Sequence, residues 1–137
     1  MLARYSARFL LVQRVMTEIR QRLGESGEEI ACRELAARGY AILARRYRTR
    51  HGEIDVVARD GDTIVFVEVK LRTTGEFGAA VESVTPWKQR RVAAMAVDYL
   101  ARNRMTDRPC RFDVVAIDLL EGVEPRITVI PSAFDAT

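Results

Sequence analysis

Apolar positions recur along this chain with two different periods. From Gly24 to Arg38 they return every three or four residues, with Ile30, Ala31, Leu35 and Ala36 on one side. That spacing predicts an amphipathic helix, and Gly39 stops it. Beyond Gly39 the pattern tightens to alternation or short continuous apolar runs. Tyr40–Tyr47, Ile54–Arg59 and Thr63–Leu71 are expected as three strands, the second and third joined around Asp60-Gly61-Asp62, a tight-turn sequence. Arg72–Val84 contains Gly75 and Gly78 and little periodicity, so a loop is expected there. Thr85-Pro86 supplies an N-cap and a proline for the first helical position. It opens a second helix to about Arg104, striped by Val92, Met95, Ala96, Tyr99 and Leu100. Phe112–Ile117 and Ile127–Ile130 complete the strands. The order is αβββαββ, and the segment between the third and fourth strands has the length of a right-handed parallel crossover. The fold class is therefore α/β, a mixed β-sheet flanked by helices.

Size and composition narrow this to one domain. The chain has 137 residues, 48% apolar and 30% charged, a globular balance in a length suited to a single core. No apolar run reaches the ~18 residues of a membrane span. Cys32 and Cys110 are far apart and form no CxxC, so neither a metal site nor a disulfide framework is expected, and a reduced, cytoplasmic setting is the default. Met1–Val15 is basic and partly apolar but lacks a cleavage signal. Residues 1–19 are read as a helical or frayed extension, with a targeting element or a true start at Met16 as alternatives, and residues 20–137 as the domain.

The formal net charge is only +3, yet its distribution is uneven. Arg45, Arg46, Arg48, Arg50 and His51 precede the second strand. Lys88, Arg90 and Arg91 form another group, and Arg102, Arg104, Arg108 and Arg111 a third. Such clustering favours a polyanion on one face over ordinary solvated arginines.

Against that background two strands carry charges that are costly to bury alone. Glu53-Ile54-Asp55 lies on the second strand and Glu68-Val69-Lys70 on the third. If Gly61-Asp62 is a two-residue loop, Asp55 stands opposite Glu68; if Asp60-Gly61 is the loop, Glu53 does and Asp55 is on the diagonal. Either register puts Glu53, Asp55, Glu68 and Lys70 on one face and Val65, Val67, Val69 and Leu71 on the other. Facing carboxylates need neutralising, by Lys70 or by a divalent cation. Asp55 and Glu68, with the Val69 carbonyl and water, suit Mg²⁺. Lys70 would then act on the attacking water and the transition-state charge. The competing reading is a silent ion pair between Lys70 and Glu68 or Asp55. Glu28 shares the helical face of Ala31 and Leu35 and is either an outer metal ligand or a partner for a basic residue.

Other residues contribute less. Lys88 shares the Val92–Met95–Tyr99 face, where it either reaches a phosphate or a carboxylate or is a surface residue of the first turn. Trp87 is expected to pack over the helix end rather than stack on a base. Arg111 and Asp113 are expected to form a strand-level ion pair. His51 alone builds neither a metal cluster nor a relay, and Gly75 and Gly78 lack phosphate-loop spacing.

Taken together, Gly52-Glu53-Ile54-Asp55, Phe66-Val67-Glu68-Val69-Lys70 with Arg72, Phe77-Gly78, Gly27-Glu28, Lys88 and Arg111-x-Asp113-Val114 resemble the YraN-type family of small uncharacterised bacterial proteins. The resemblance runs from about Arg20 to Ile130. It implies a restriction-endonuclease-like αβββαβ core of the PD-(D/E)xK superfamily, akin to archaeal Holliday-junction resolvases. In that pattern Asp55 matches the metal-binding aspartate, Glu68 the second acidic ligand, Lys70 the catalytic lysine and Glu28 the acidic residue of the first helix. Ile54 stands where a proline is frequent, and Arg46 where an asparagine is expected. The leading expectation is thus a Mg²⁺-dependent endonuclease (Mn²⁺ substituting) acting on DNA, with branched or structured DNA as a candidate substrate. Arg45, Arg48, Arg72 and Lys88 would contact phosphates, and a homodimer would present two sites. A non-catalytic nucleic-acid-binding or repair accessory protein, and a purely structural charge network, are the alternatives.

Overall fold

In the computed structural model the described residues are 26–72, 85–119 and 124–134, with isolated helical positions at Ala7, Leu10, Leu11, Arg14 and Thr17. Arg72, expected to open a loop to Val84, instead closes the third strand, while the rest of that loop, with Gly75, Phe77 and Gly78, and most of the 1–19 extension lie outside them. Helix α1 is Gly27–Ala37, followed by β1 (Ala41–Thr49), β2 (Gly52–Asp60) and β3 (Thr63–Arg72). Helix α2 (Pro86–Arg102) precedes β4 (Cys110–Asp118) and β5 (Arg126–Phe134). The expected order therefore holds, with boundaries moved by a few residues. Helix α1 starts at Gly27 rather than Gly24 because Ser26 caps it, its hydroxyl accepting from the Glu29 N–H at 3.3 Å.

The five strands lie in sequence order β1-β2-β3-β4-β5. All neighbours are antiparallel except β3 and β4, whose parallel pairing runs from Ile64↔Cys110 to Arg72↔Asp118. Helix α2 supplies the connection that parallel pairing requires. The two faces of the sheet are both covered, which explains the near-continuous apolar runs of β3 and β4. Ile30, Ala31, Cys32 and Leu35 of α1 pack on Val56, Ala58, Val65, Val67, Val115 and Ile117. On the opposite face Met95, Ala96, Tyr99 and Leu100 of α2 pack on Val57, Ile64, Phe66 and Phe112. This is an α/β restriction-endonuclease-like core, a mixed sheet between helices. Among the described residues no helix is long and apolar enough to cross a membrane.

Buried charge marks the two ends of the sheet. At one end Asp113, fully buried, accepts from Arg111 Nε at 3.1 Å and from the Ser132 N–H at 2.9 Å. Arg111 also reaches Asp60 at 3.0 Å, so the expected Arg111–Asp113 pair belongs to a larger network. At the other end Arg72 and Asp118 form a buried two-pronged pair, Nη2 to Oδ2 at 3.3 Å and Nε to Oδ1.

Candidate active site where the β2–β3 ladder ends

The β2–β3 hairpin turns on Gly61-Asp62, with Asp60 paired to Thr63, and its rungs run as far as Val56↔Val67. The next rung in this register would be Asp55 and Glu68, so the first of the two expected alignments is the one adopted. Here the Asp55 side chain replaces a backbone partner: its Oδ2 accepts the Val69 N–H at 2.7 Å.

Simple alternation does not describe Asp55, and this corrects the expected division of faces. In the β1–β2 ladder Arg45 pairs with Val56 and Tyr47 with Ile54, while Arg46 and Asp55 lie between these rungs. Ile54 and Val57 both pack on the α2 side, whereas Val56 packs on the α1 side. Both strands therefore slip phase at this rung, and Arg46 adopts a left-handed backbone (φ 49°) to allow it. The slip brings Asp55 into a cleft of about 180 Å³ with Val69 and Leu71, residues that alternation assigned to the opposite face. Ser26, Gly27 and Glu28 of α1 and Arg46 complete the lining. Gly27 is small for a reason: a Cβ there would stand 3.2 Å from Leu71 Cδ2.

The electrostatics follow from this crowding. Burial, then the neighbouring Glu68 carboxylate, pushes Asp55 up from 3.8 to about 7, with Glu28 adding to the rise and the Val69 N–H opposing it. Lys70 sits on Glu68, Nζ to Oε1 at 3.3 Å. Glu28 is gripped by Arg46, whose Nη2 and Nε lie 2.7 Å and 3.3 Å from the same Oε2. Among the described residues no group of three or more His, Cys, Asp or Glu side chains stands close enough to hold a metal. Asp55 and Glu68 are thus the convergent pair, and Glu28 is turned to Arg46 beside them.

A proton or a divalent cation relieves two carboxylates that meet in a half-dry corner. Mg²⁺ is commonly held by one or two carboxylates with several retained waters, so this donor set fits it. Asp55, Glu68 and the Val69 carbonyl would be the protein ligands, with Glu28 within the same cleft as an outer one.

The expected phosphate contacts separate into two groups. Arg45 is exposed on β1, and Arg48 is exposed and holds Glu53 at 3.0 Å. Lys88 is exposed on the first turn of α2, on the other side of the sheet from the cleft. Arg72 does not join them: it is 8% exposed and committed to Asp118, because an unpaired carboxylate at that depth would be costly. Trp87 also departs from expectation. It is 57% exposed with the Arg91 guanidinium 4.6 Å above its ring, not packed over the helix end. Arg46, Ser26 and Leu71 were not singled out as site residues from the sequence. The spacing of Ser26 and Glu29 was a usable capping signal, whereas the backbone twist that aims Arg46 leaves no trace in residue pattern.

Comparison with known proteins bears on the whole arrangement. Residues 27–117 match the model of UPF0102, an uncharacterised protein family. A UPF0102 protein of Anaeromyxobacter dehalogenans (strain 2CP-C) is 49% identical over 116 residues, covering 85% of this chain and 86% of its own. One from Geobacter metallireducens (strain ATCC 53774 / DSM 7210 / GS-15) is 49% identical over 113 residues, 82% of this chain and 92% of its own. A third, from Symbiobacterium thermophilum (strain DSM 24528 / JCM 14929 / IAM 14863 / T), is 47% identical over 116 residues and covers 98% of its own length.

Proposed function

The chain belongs to the uncharacterised family UPF0102, the YraN-type family that its motifs resemble, and we propose that it is a Mg²⁺-dependent endonuclease hydrolysing DNA phosphodiester bonds. The observation that carries this reading is the meeting of Asp55 with Glu68 just beyond the last β2–β3 rung, Val56↔Val67, with Lys70 Nζ 3.3 Å from Glu68. A bound Mg²⁺ would supply a polarised phosphate and a more acidic water. The chain's own residues do the rest. Asp55, fixed by the Val69 N–H, and Glu68 present their oxygens together, and the α1 N-terminus closes one side of the cleft against bulk water. Lys70, one residue beyond Val69, orients the water and neutralises charge that develops on the phosphate. Arg45, Arg48 and Lys88 hold backbone phosphates away from the cut. The described domain is small and offers little area to grip a duplex, so branched or otherwise structured DNA is the favoured substrate.

The decisive measurement is a melting curve of the full chain with and without Mn²⁺, paired with cleavage of linear, flapped and four-way DNA. Wild type should be stabilised by the ion and cut at least one substrate, D55N should lose the ion-dependent shift, and K70A should keep it while cutting about 10²–10³-fold more slowly. No shift and no cleavage would overturn the enzyme reading. The ion pairs already made by Glu28 and Glu68 favour a second reading, a nucleic-acid-binding or DNA-repair accessory protein. It requires DNA affinity that is the same in wild type, D55N and K70A.

A further inference from the structure

Arg46 occupies a position that a long side chain takes only at a cost. It lies within β1, yet its backbone is left-handed (φ 49°), a region that glycine and asparagine tolerate and other residues rarely enter. Such strain persists where the surroundings hold it in place, and it clusters at working sites. What the strain produces here is direction. The phase slip carries Arg46 into the cleft with Asp55, Val69 and Glu28. Both Nε and Nη2 then fall on one oxygen of Glu28, Oε2. Single-oxygen engagement leaves Nη1 without a partner among the described residues, and the Arg46 side chain is half exposed, 55% against 26% for Glu28. The guanidinium also feels Glu53 and Asp55 beyond Glu28. The cleft therefore has an exposed cation held against a partly buried carboxylate next to the Asp55–Glu68 pair.

We infer that Arg46 is a built-in counter-ion for Glu28 that competes with the divalent cation, and that it yields Glu28 to the metal when its guanidinium turns to a substrate phosphate. This rests on the metal-dependent reading above and adds a positioning residue and a form of control to it. Before a cation binds, Arg46 neutralises the outer carboxylate and keeps it from the Asp55–Glu68 pair. A phosphodiester arriving at the cleft offers the guanidinium a two-oxygen partner, which suits its fork better than one carboxylate oxygen. Release of Glu28 then adds a third carboxylate to the metal site. Metal affinity and phosphate binding are thereby coupled through one side chain, and the coupling must act in both directions.

The test is calorimetric titration of Mn²⁺ into the full-length wild type, D55N, R46N, E28Q and the E28Q/R46N double variant, with apo melting temperatures alongside. Asparagine is chosen because it relieves the left-handed strain, so R46N should melt no lower than wild type. R46N should bind Mn²⁺ about threefold to fivefold more tightly than wild type, the upper end of what one part-exposed ion pair contributes. In the E28Q background the same substitution should change the affinity by less than about twofold, because the residue being contested is gone. Adding a short DNA duplex should tighten Mn²⁺ binding in wild type and much less in R46N. An equal gain in both backgrounds identifies a general charge effect and overturns the handover, as does an R46N affinity equal to that of wild type. A D55N variant that binds Mn²⁺ as tightly as wild type removes the metal reading itself. Loss of binding in D55N with no response in R46N removes only the handover.

Discussion

At the scale of single residues, Asp55 is a group whose chemistry its surroundings change strongly. Its folded value of about 7 lies above its ordinary 3.8, raised by burial first and by Glu68 second, so the fold favours the protonated acid. The stabilisation this provides is complete below about pH 4 and is lost as pH rises through about 7. Urea melts of D55N and wild type should therefore converge near pH 4 and separate near pH 8, with D55N the more stable. Asparagine keeps an acceptor for the Val69 N–H, so that hydrogen bond is conserved in the comparison. Divalent cation should erase the difference in the opposite sense, by stabilising wild type alone. Equal pH profiles for the two proteins would show that Asp55 and Glu68 do not share a desolvated corner. The identity of the charged trio was legible in the sequence, because period-two spacing and a two-residue turn bring Asp55 to Glu68 by arithmetic. The facing of Asp55 was not, because one left-handed residue on a neighbouring strand reverses the alternation.

At the scale of elements, helix and strand spans were read to within a few residues from periodicity and caps. What those patterns left out is how α2 is fastened to the β1–β2 turn. Arg91 Nε donates to the His51 carbonyl at 2.8 Å, and its Nη2 contacts the same oxygen. The adjoining Gly52 has φ 129°, and a Cβ there would lie 2.5 Å from Arg91 Nη2. Tyr47 adds a second fastening, its hydroxyl donating to Asp98 of α2 at 2.6 Å. Substituting Gly52 by alanine combines a backbone region reserved for glycine with displacement of Arg91, and should cost about 2–3 kcal/mol in a chemical-denaturation experiment. Gly39, also at positive φ but with open space around it, should cost less when replaced by alanine, since only the backbone term remains. Equal losses at the two positions would mean that the Arg91 contact contributes nothing.

At the scale of the whole molecule, the basic residues divide by depth into those that hold the protein together and those that face outward. Arg72 belongs to the first class and Arg48 to the second, although both were expected to contact phosphate. Substituting Arg72 by alanine leaves Asp118 buried without its partner and should destabilise the protein by about 3–5 kcal/mol. Substituting Arg48 by alanine should leave stability within about 0.5 kcal/mol, weaken DNA binding, and reduce the slope of log affinity against log salt by about one contact. If R48A binds DNA with unchanged salt dependence, the β1 arginines are ordinary solvated charge.

The sequence by itself determined the α/β class, the αβββαββ order, the parallel β3–β4 pairing and the chemical types that gather near Asp55. Those properties depend on local periodicity, capping and turn chemistry, which act over a few residues and are written in composition and spacing. Only the tertiary structure decided which side of the sheet Asp55 addresses, that Arg46 holds Glu28 while Lys70 holds Glu68, and that Arg72 is a buried strut rather than a phosphate contact. Each of these depends on depth or on a single backbone dihedral, quantities fixed by how distant segments pack against one another. Residue pattern carries neither of them.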